Sequence, residues 1–190
     1  MSEQLQSDFD KIVKNSKFSN REIQLKKDFL NKFIESGFPN RKQEDWKFLD
    51  ISQIIKKNIS DLSYFIDYSQ SNKIDLSTFV DGLEHNKIIF LNGRIEKIDF
   101  NHEDQNKIEI SDETKKDISF DYENSLIDLN SAFTDKVFKI LVKKDYSLKK
   151  PLIIYHSTNN SIKSTNINLR LDFELGENSC LKLIDYFTNN

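Results

Sequence analysis

The chain has 190 residues, 37% hydrophobic and 31% charged, and its 15 Phe supply bulk for a core, so disorder throughout is excluded. A net charge of −3 gives no overall basic field for nucleic acid, and a single Cys excludes an intramolecular disulfide framework. The first residues, Met-Ser-Glu-Gln-Leu-Gln-Ser-Asp, carry neither a basic nor an apolar leader region, and the longest apolar runs, Ile88 to Leu91 and Leu152 to Tyr155, fall far short of a membrane span, so a soluble cytoplasmic protein is expected.

In chain order, Ser7 with Asp10 reads as a capping pair, and Phe9, Ile12 and Val13 follow at helical spacing, which predicts a short first helix. Ser19 with Glu22 forms a capping box. The apolar face of Ile23, Phe29, Leu30, Phe33 and Ile34 then stops at Gly37, which predicts a second helix. Gly37 to Phe48 reads Gly-Phe-Pro-Asn-Arg-Lys-Gln-Glu-Asp-Trp-Lys-Phe. Mixed charge around the only Trp, after Gly and Pro, predicts a loop docked onto a core. Asp50 with Gln53, ahead of Ile51, Ile54 and Ile55, predicts a third helix ending near Asn58.

From Lys87 the pattern changes. Apolar Ile88 to Leu91, then Asn92-Gly93, then Arg94 to Phe100, predicts a β-hairpin near 88–98 with a type I′ turn. Asn101 to Lys107 reads as a loop and Ile108 to Ile110 as a short strand, while Tyr122, Leu126, Leu129 and Phe133 recur at helical intervals. Strands are predicted at Val137 to Val142 and Leu152 to His156. The alternation of Ile167, Leu169, Leu171, Phe173 and Leu175 predicts another, and Cys180 to Phe187 resumes the pattern after Gly176. Hexapeptide repeats are absent, and periodicity alone leaves a β-solenoid and a sandwich both open.

Several of these words resemble, in order, the SufD branch of the SufB/SufD family, whose members help to build iron–sulfur clusters. The family's early segment carries a Gly-Leu-Pro-Thr-Arg-Lys-x-Glu-x-Trp-Lys-Tyr string, from which this chain departs at Phe38, Asn40 and Phe48. Ile88 to Arg94, Leu129 to Asp135, Lys149 to Ile154 and Leu175 to Phe187 resemble later family words, and the likeness runs from about Arg21 onward. Arg41, Lys42, Glu44, Trp46 and Lys47 favour SufD over SufB.

The resemblance implies an α+β chain. A helical N-terminal domain over 1–125, with the hairpin inside it, would precede the first coils of a right-handed parallel β-helix over 126–190, apparently cut short. It further implies a non-catalytic scaffold subunit that pairs with a SufB-like subunit and the SufC-like ATPase. The iron–sulfur cluster is implied only for the complex, with no cofactor bound by this chain, no nucleic acid and no membrane as partners. A β-helix halted early would leave open strand edges that favour association. The other reading is a free-standing α+β interaction domain without cluster chemistry.

Arg41, Glu44 and Trp46 form a docking motif, since Arg and Trp suit interface hot spots, or an internal one in which Trp46 covers the helical core. The internal role is the more common for such a cluster. Cys180 is a thiolate candidate for iron–sulfur chemistry or a nucleophile, against the commoner role of a small buried hydrophobe beside a turn. His85, His102 and His156 lack metal-ligand spacing. His156 shares strand parity with Leu152 and Ile154, which predicts a partly buried, hydrogen-bonded side chain. With no Walker A, G-x-G-x-x-G, G-x-S-x-G or H-E-x-x-H pattern, no metal or catalytic site is assigned.

Overall fold

A computed structural model describes residues 2–59, 61–68, 80–113, 124–159 and 162–189. The chain divides into two compact units, each assembled from three stretches: 1–66, 114–137 and 164–170 in the first, 67–113, 138–163 and 171–190 in the second. The segments of the two units interleave along the sequence.

In the first unit, α1 spans Ser2–Asn15, α2 Asn20–Ser36, α3 Ile51–Asn58 and α4 Ser125–Phe133. The boundaries of α2 follow from its caps. The Ser19 hydroxyl accepts from the Glu22 amide, Glu22 returns the bond to the Ser19 amide, and Gly37 at φ 68 closes the far end with its N–H on the Phe33 carbonyl. Asp50 caps α3 by accepting from the Gln53 amide at 3.0 Å. At α4, Asn124 accepts from Leu126 at 2.9 Å; the Tyr122 expected in this helical series lies outside the described residues.

One core joins these helices. Leu5, Phe9 and Ile12 of α1 meet Leu30 and Phe33 of α2, Leu129, Ala132 and Phe133 of α4, and Phe38 and Tyr64 from the loops. Phe133 takes Phe9 edge-on at 6.2 Å and Tyr64 at 5.1 Å, so aromatic geometry fixes how α1 and α4 approach.

Among the described residues of this unit, Asp8 and Lys26 are buried charges. Asp8 is fully buried and accepts from the Tyr64 amide at 2.8 Å, Gln4 at 2.9 Å and Lys11 at 2.8 Å, pinning the 63–64 segment to α1. Burial alone would raise the Asp8 carboxyl, but those bonds and the Lys11 charge outweigh it and hold the group below its ordinary value. Lys26 of α2 is 7% exposed. Its ammonium donates to the Ser131 and Thr134 carbonyls at the end of α4 and sits 4.8 Å from the centre of the Phe18 ring. Burial pushes Lys26 down to about 8, against the opposing charges of Asp135 and Glu22.

Among the described residues seven strands make up the sheets: β1 Asn86–Leu91, β2 Arg94–Asp99, β3 Ile108–Glu113, β4 Val137–Val142, β5 Leu152–Thr158, β6 Arg170–Leu175 and β7 Leu183–Asn189. A four-stranded sheet runs β2-β1-β5-β7 and a three-stranded sheet runs β3-β4-β6. The hairpin turns at Asn92 (φ 51) and Gly93 (φ 83), the left-handed pair that a type I′ turn requires. It lays β2 antiparallel on β1, with an irregularity between Ile89 and Phe90. By contrast, β1 pairs parallel with β5, and β5 with β7.

The expected right-handed parallel β-helix is therefore corrected. Among the described residues the chain is a small α+β protein with two open, mixed sheets of four and three strands, neither closed nor wound as a solenoid. Two local causes are visible. The Asn-Gly turn folds β2 back antiparallel, so the outer position beside β1 goes to a hairpin arm. The long alternation from Ile167 also becomes strand only at Arg170. Upstream, Asn166 donates its amide N–H to the Ser63 carbonyl at 2.8 Å, the Asn166 side chain bonds Asn168 at 3.1 Å, and the Leu169 carbonyl accepts from Asn130 of α4 at 3.2 Å. The 164–170 segment thus joins the helical unit, with Thr165 in an isolated parallel bridge with Ser63 and the Leu169 carbonyl on the Asn130 side chain.

Candidate interaction surface

Alternation along the parallel strands decides which side chains face which way. Asn86, Ile88 and Phe90 of β1, Leu152, Ile154 and His156 of β5, and Leu183, Asp185 and Phe187 of β7 share one face, because in-register residues of parallel strands point alike. Ile88, Phe90, Leu152 and Ile154 are fully buried, and Phe90 meets Phe138 of β4 edge-on at 5.2 Å. On the other face Ile89, Ile153 and Tyr155 form a second buried cluster with Val80 against it.

Burial fails toward β7, the edge strand of its sheet. Phe187 is 73% exposed, and Leu183, Ile184 and Tyr186 are exposed on both faces of the same strand. Leu175, at the end of β6, is exposed too, and β6 is the edge of the three-stranded sheet. Both sheets thus end in an edge that carries apolar side chains, the arrangement best suited to pairing with another strand or surface.

Within this region His156 is partly buried, as its parity predicts. Its Nε2 lies 2.7 Å from Asp185 Oδ1. Its ring stacks on Phe90 at 5.7 Å and on Phe187 at 4.5 Å, within 10° and 13° of parallel. Opposite, the Tyr155 hydroxyl lies 2.9 Å from His85 Nε2, and its ring meets Tyr186 edge-on at 5.6 Å. His85 Nδ1 faces the Leu83 carbonyl at 2.6 Å, and since a carbonyl only accepts, that nitrogen is a donor. Burial pushes the Tyr155 phenol up, more than the Val80 N–H lowers it.

Sequence reasoning missed Glu103, which organises one end of this unit. Its carboxylate accepts from Asn86 Nδ2 at 2.7 Å, the Tyr146 hydroxyl at 2.7 Å and the amides of Lys149 and Lys150 at 3.0 and 3.1 Å. Burial opposes ionisation, but these four donors win, and the carboxyl is held below its ordinary value. The Asn101 to Lys107 loop is thereby tied to the residues that lead into β5. A polar loop carries no sequence signal for such a role, because Asn86 lies 17 residues before Glu103 and the other three partners more than forty residues after it.

The predicted motif residues sit in the other unit. Arg41 and Glu44 are exposed, and Trp46 is half-buried in a single 3-10 turn, Glu44–Trp46. Glu44 pairs with Lys47 at 2.6 Å, an exposed contact of little energetic weight. What docks this junction is Phe38, buried and edge-on to Phe33 at 5.0 Å, while Phe48 is 87% exposed. Phe48, Leu49 and Ile54 add a second set of exposed apolar side chains.

Cys180 is exposed, whereas the sequence favoured burial. Its backbone bridges the 146–148 segment: its N–H donates to the Tyr146 carbonyl at 3.1 Å and its carbonyl accepts from Leu148 at 3.0 Å. A cluster requires several thiolate or imidazole ligands, and among the described residues no group of three or more His, Cys, Asp or Glu side chains is placed to hold a metal. With one Cys in the chain, these residues do not fit an iron–sulfur cluster. No described helix is long and apolar enough to cross a membrane. Compared with known proteins, the chain matches no family model and no curated protein.

Proposed function

We propose that this chain is a cytoplasmic, SufD-like scaffold subunit of an iron–sulfur cluster assembly complex, working beside SufB-like and SufC-like subunits and performing no catalytic step of its own. The observation that carries the reading is the apolar edge at β7, where Leu183, Ile184, Tyr186 and Phe187 stand exposed beside the largely buried β1–β5 pair. Such an edge offers unsatisfied backbone groups and apolar side chains together, which is what a subunit interface uses. The ordered words from Gly37–Phe48 to Leu175–Phe187 supply the choice of family. The reading does not require a β-helix. In it, the SufC-like subunit supplies the ATP chemistry, and this chain contributes shape and contact.

The test is co-elution of the purified chain with SufB-like and SufC-like subunits from the same source. A stable complex supports the scaffold role. A folded chain that elutes apart from both overturns it and leaves a free-standing α+β interaction domain.

A further inference from the structure

We propose that the 41–58 stretch of the helical unit docks an acidic, amphipathic segment of another protein. Three apolar side chains stand open there: Phe48 is 87% exposed, Leu49 43% and Ile54 45%. They lie within one short, tightly wound piece of chain. The amides of Gln43, Trp46 and Leu49 each donate three residues back, to the carbonyls of Asn40, Gln43 and Trp46, and α3 starts two residues later. The inner face of α3 is already occupied, since Ile51 and Ile55 pack against the helical core, which leaves Ile54 outside.

Charge decides the partner's chemistry. Residues 41–58 hold five basic and three acidic side chains, a net +2 within a chain of net −3. Two of the acids are engaged inside the stretch, Glu44 with Lys47 at 2.6 Å and Asp50 in the cap of α3. Lys47 also lies over the Phe48 ring, 5.4 Å from its centre, so cation and apolar surface are presented together. Arg41, Lys42, Lys56 and Lys57 are exposed and enter no ion pair among the described residues. Lys56 and Lys57 complement the C-terminal end of α3, a need that Arg41 and Lys42 do not meet. Glu44 and Asp45, exposed within the same turns, oppose an anionic bilayer or a phosphate backbone, whereas a peptide segment places its acids only where the cations stand. The surface belongs to the other unit from β7, so the proposal does not rest on the scaffold reading.

The test is a titration of the purified chain, read by the fluorescence of Trp46, its only Trp, with a Trp-free synthetic helix that carries Leu on one face and Glu on the other. The same helix with Gln in place of Glu is the comparison. The expected result is a saturable change in Trp46 emission with the Glu helix, at least about fivefold tighter than with the Gln helix and at least about threefold weaker in about 0.5 M than in about 0.05 M NaCl. F48A and R41E/K42E change exposed positions and should each weaken binding at least about fivefold, while K97E, at an exposed lysine of the other unit, leaves it unchanged. Equal affinity for the two helices, full binding by both F48A and R41E/K42E, or an equal loss in K97E overturns the proposal. Absence of binding to the Glu helix overturns it too, and vesicles of phosphatidylglycerol that bind in its place would make the surface a membrane contact.

Discussion

Replacing Lys26 by Met removes a buried charge while keeping the length and flexibility of the stem. Burial lowers the ammonium from its ordinary 10.5 to about 8, so between those values the unfolded chain binds a proton that the folded chain does not. Stability of the native sequence must then rise with pH across that window, by up to about 3 kcal/mol at about 1.4 kcal/mol per pH unit. Below about pH 8 the full cost of the buried charge is present. Tyr64 bounds the useful range from above. Burial, with the Asp8 charge, raises its phenol from 10.0 to about 12, so the folded chain keeps that proton longer and stability falls as pH climbs between those values. Urea unfolding of native and K26M protein at several values between about pH 7.5 and about pH 10 isolates the lysine, because other groups cancel in the difference. At neutral pH the variant should lie near the native protein, relief of the charge being offset by the two α4 carbonyls that lose their donor, at about 1 kcal/mol each. By about pH 10 the native protein should gain up to about 3 kcal/mol on the variant. A difference that stays flat across the window, or that runs the other way, refutes the reasoning.

Three further substitutions probe other parts of the account. A Cβ at Gly176 would collide with the backbone N and Cα of Lys144, so G176A should cost about 1 to 3 kcal/mol in chemical denaturation, and a neutral result would mean that the β6 end and Lys144 separate easily. E103A should cost about 2 kcal/mol by leaving the amides of Lys149 and Lys150 and the Tyr146 hydroxyl without their shared acceptor. Because the Glu103 carboxyl is held below its ordinary 4.5, its contribution is present above that value and is lost as pH falls below it, so E103A should flatten the acid limb of the stability profile. The double variant R41A/W46A should lower the melting temperature by only a few degrees, since Arg41 is exposed and Trp46 half-buried; a large loss would support the internal role for the junction.

Local signals were legible where one residue type decides local geometry. The Ser19 and Glu22 capping box, Gly37, Asp50 and the Asn92-Gly93 turn placed α2, α3 and the hairpin within a residue or two of where they lie. The first helix begins earlier than expected, at Ser2, because the Ser7–Asp10 spacing imitates a cap while Leu5 already packs into the core. Strand parity correctly turned His156 inward but carried no hint of Asp185, since that pairing depends on the register between two strands. The β-helix expectation failed because alternation specifies a face and not a sheet, and the 164–169 part of the alternation bonds to Ser63 and Asn130 of the helical unit while β6 starts only at Arg170. Trp46 drew attention as the single largest aromatic, yet Phe38 anchors the junction, and nothing in the order of those residues says which ring goes in.

The most direct test of the scaffold reading is binding by edge variants. I184K and F187K change exposed positions on β7; I184K should keep the native melting temperature, whereas F187K also removes the ring stacked on His156 and should lower it by a few degrees. The account predicts that the native chain co-elutes with SufB-like and SufC-like subunits and that both variants lose that association. Undiminished binding by the variants, or no binding by the native chain, would contradict it.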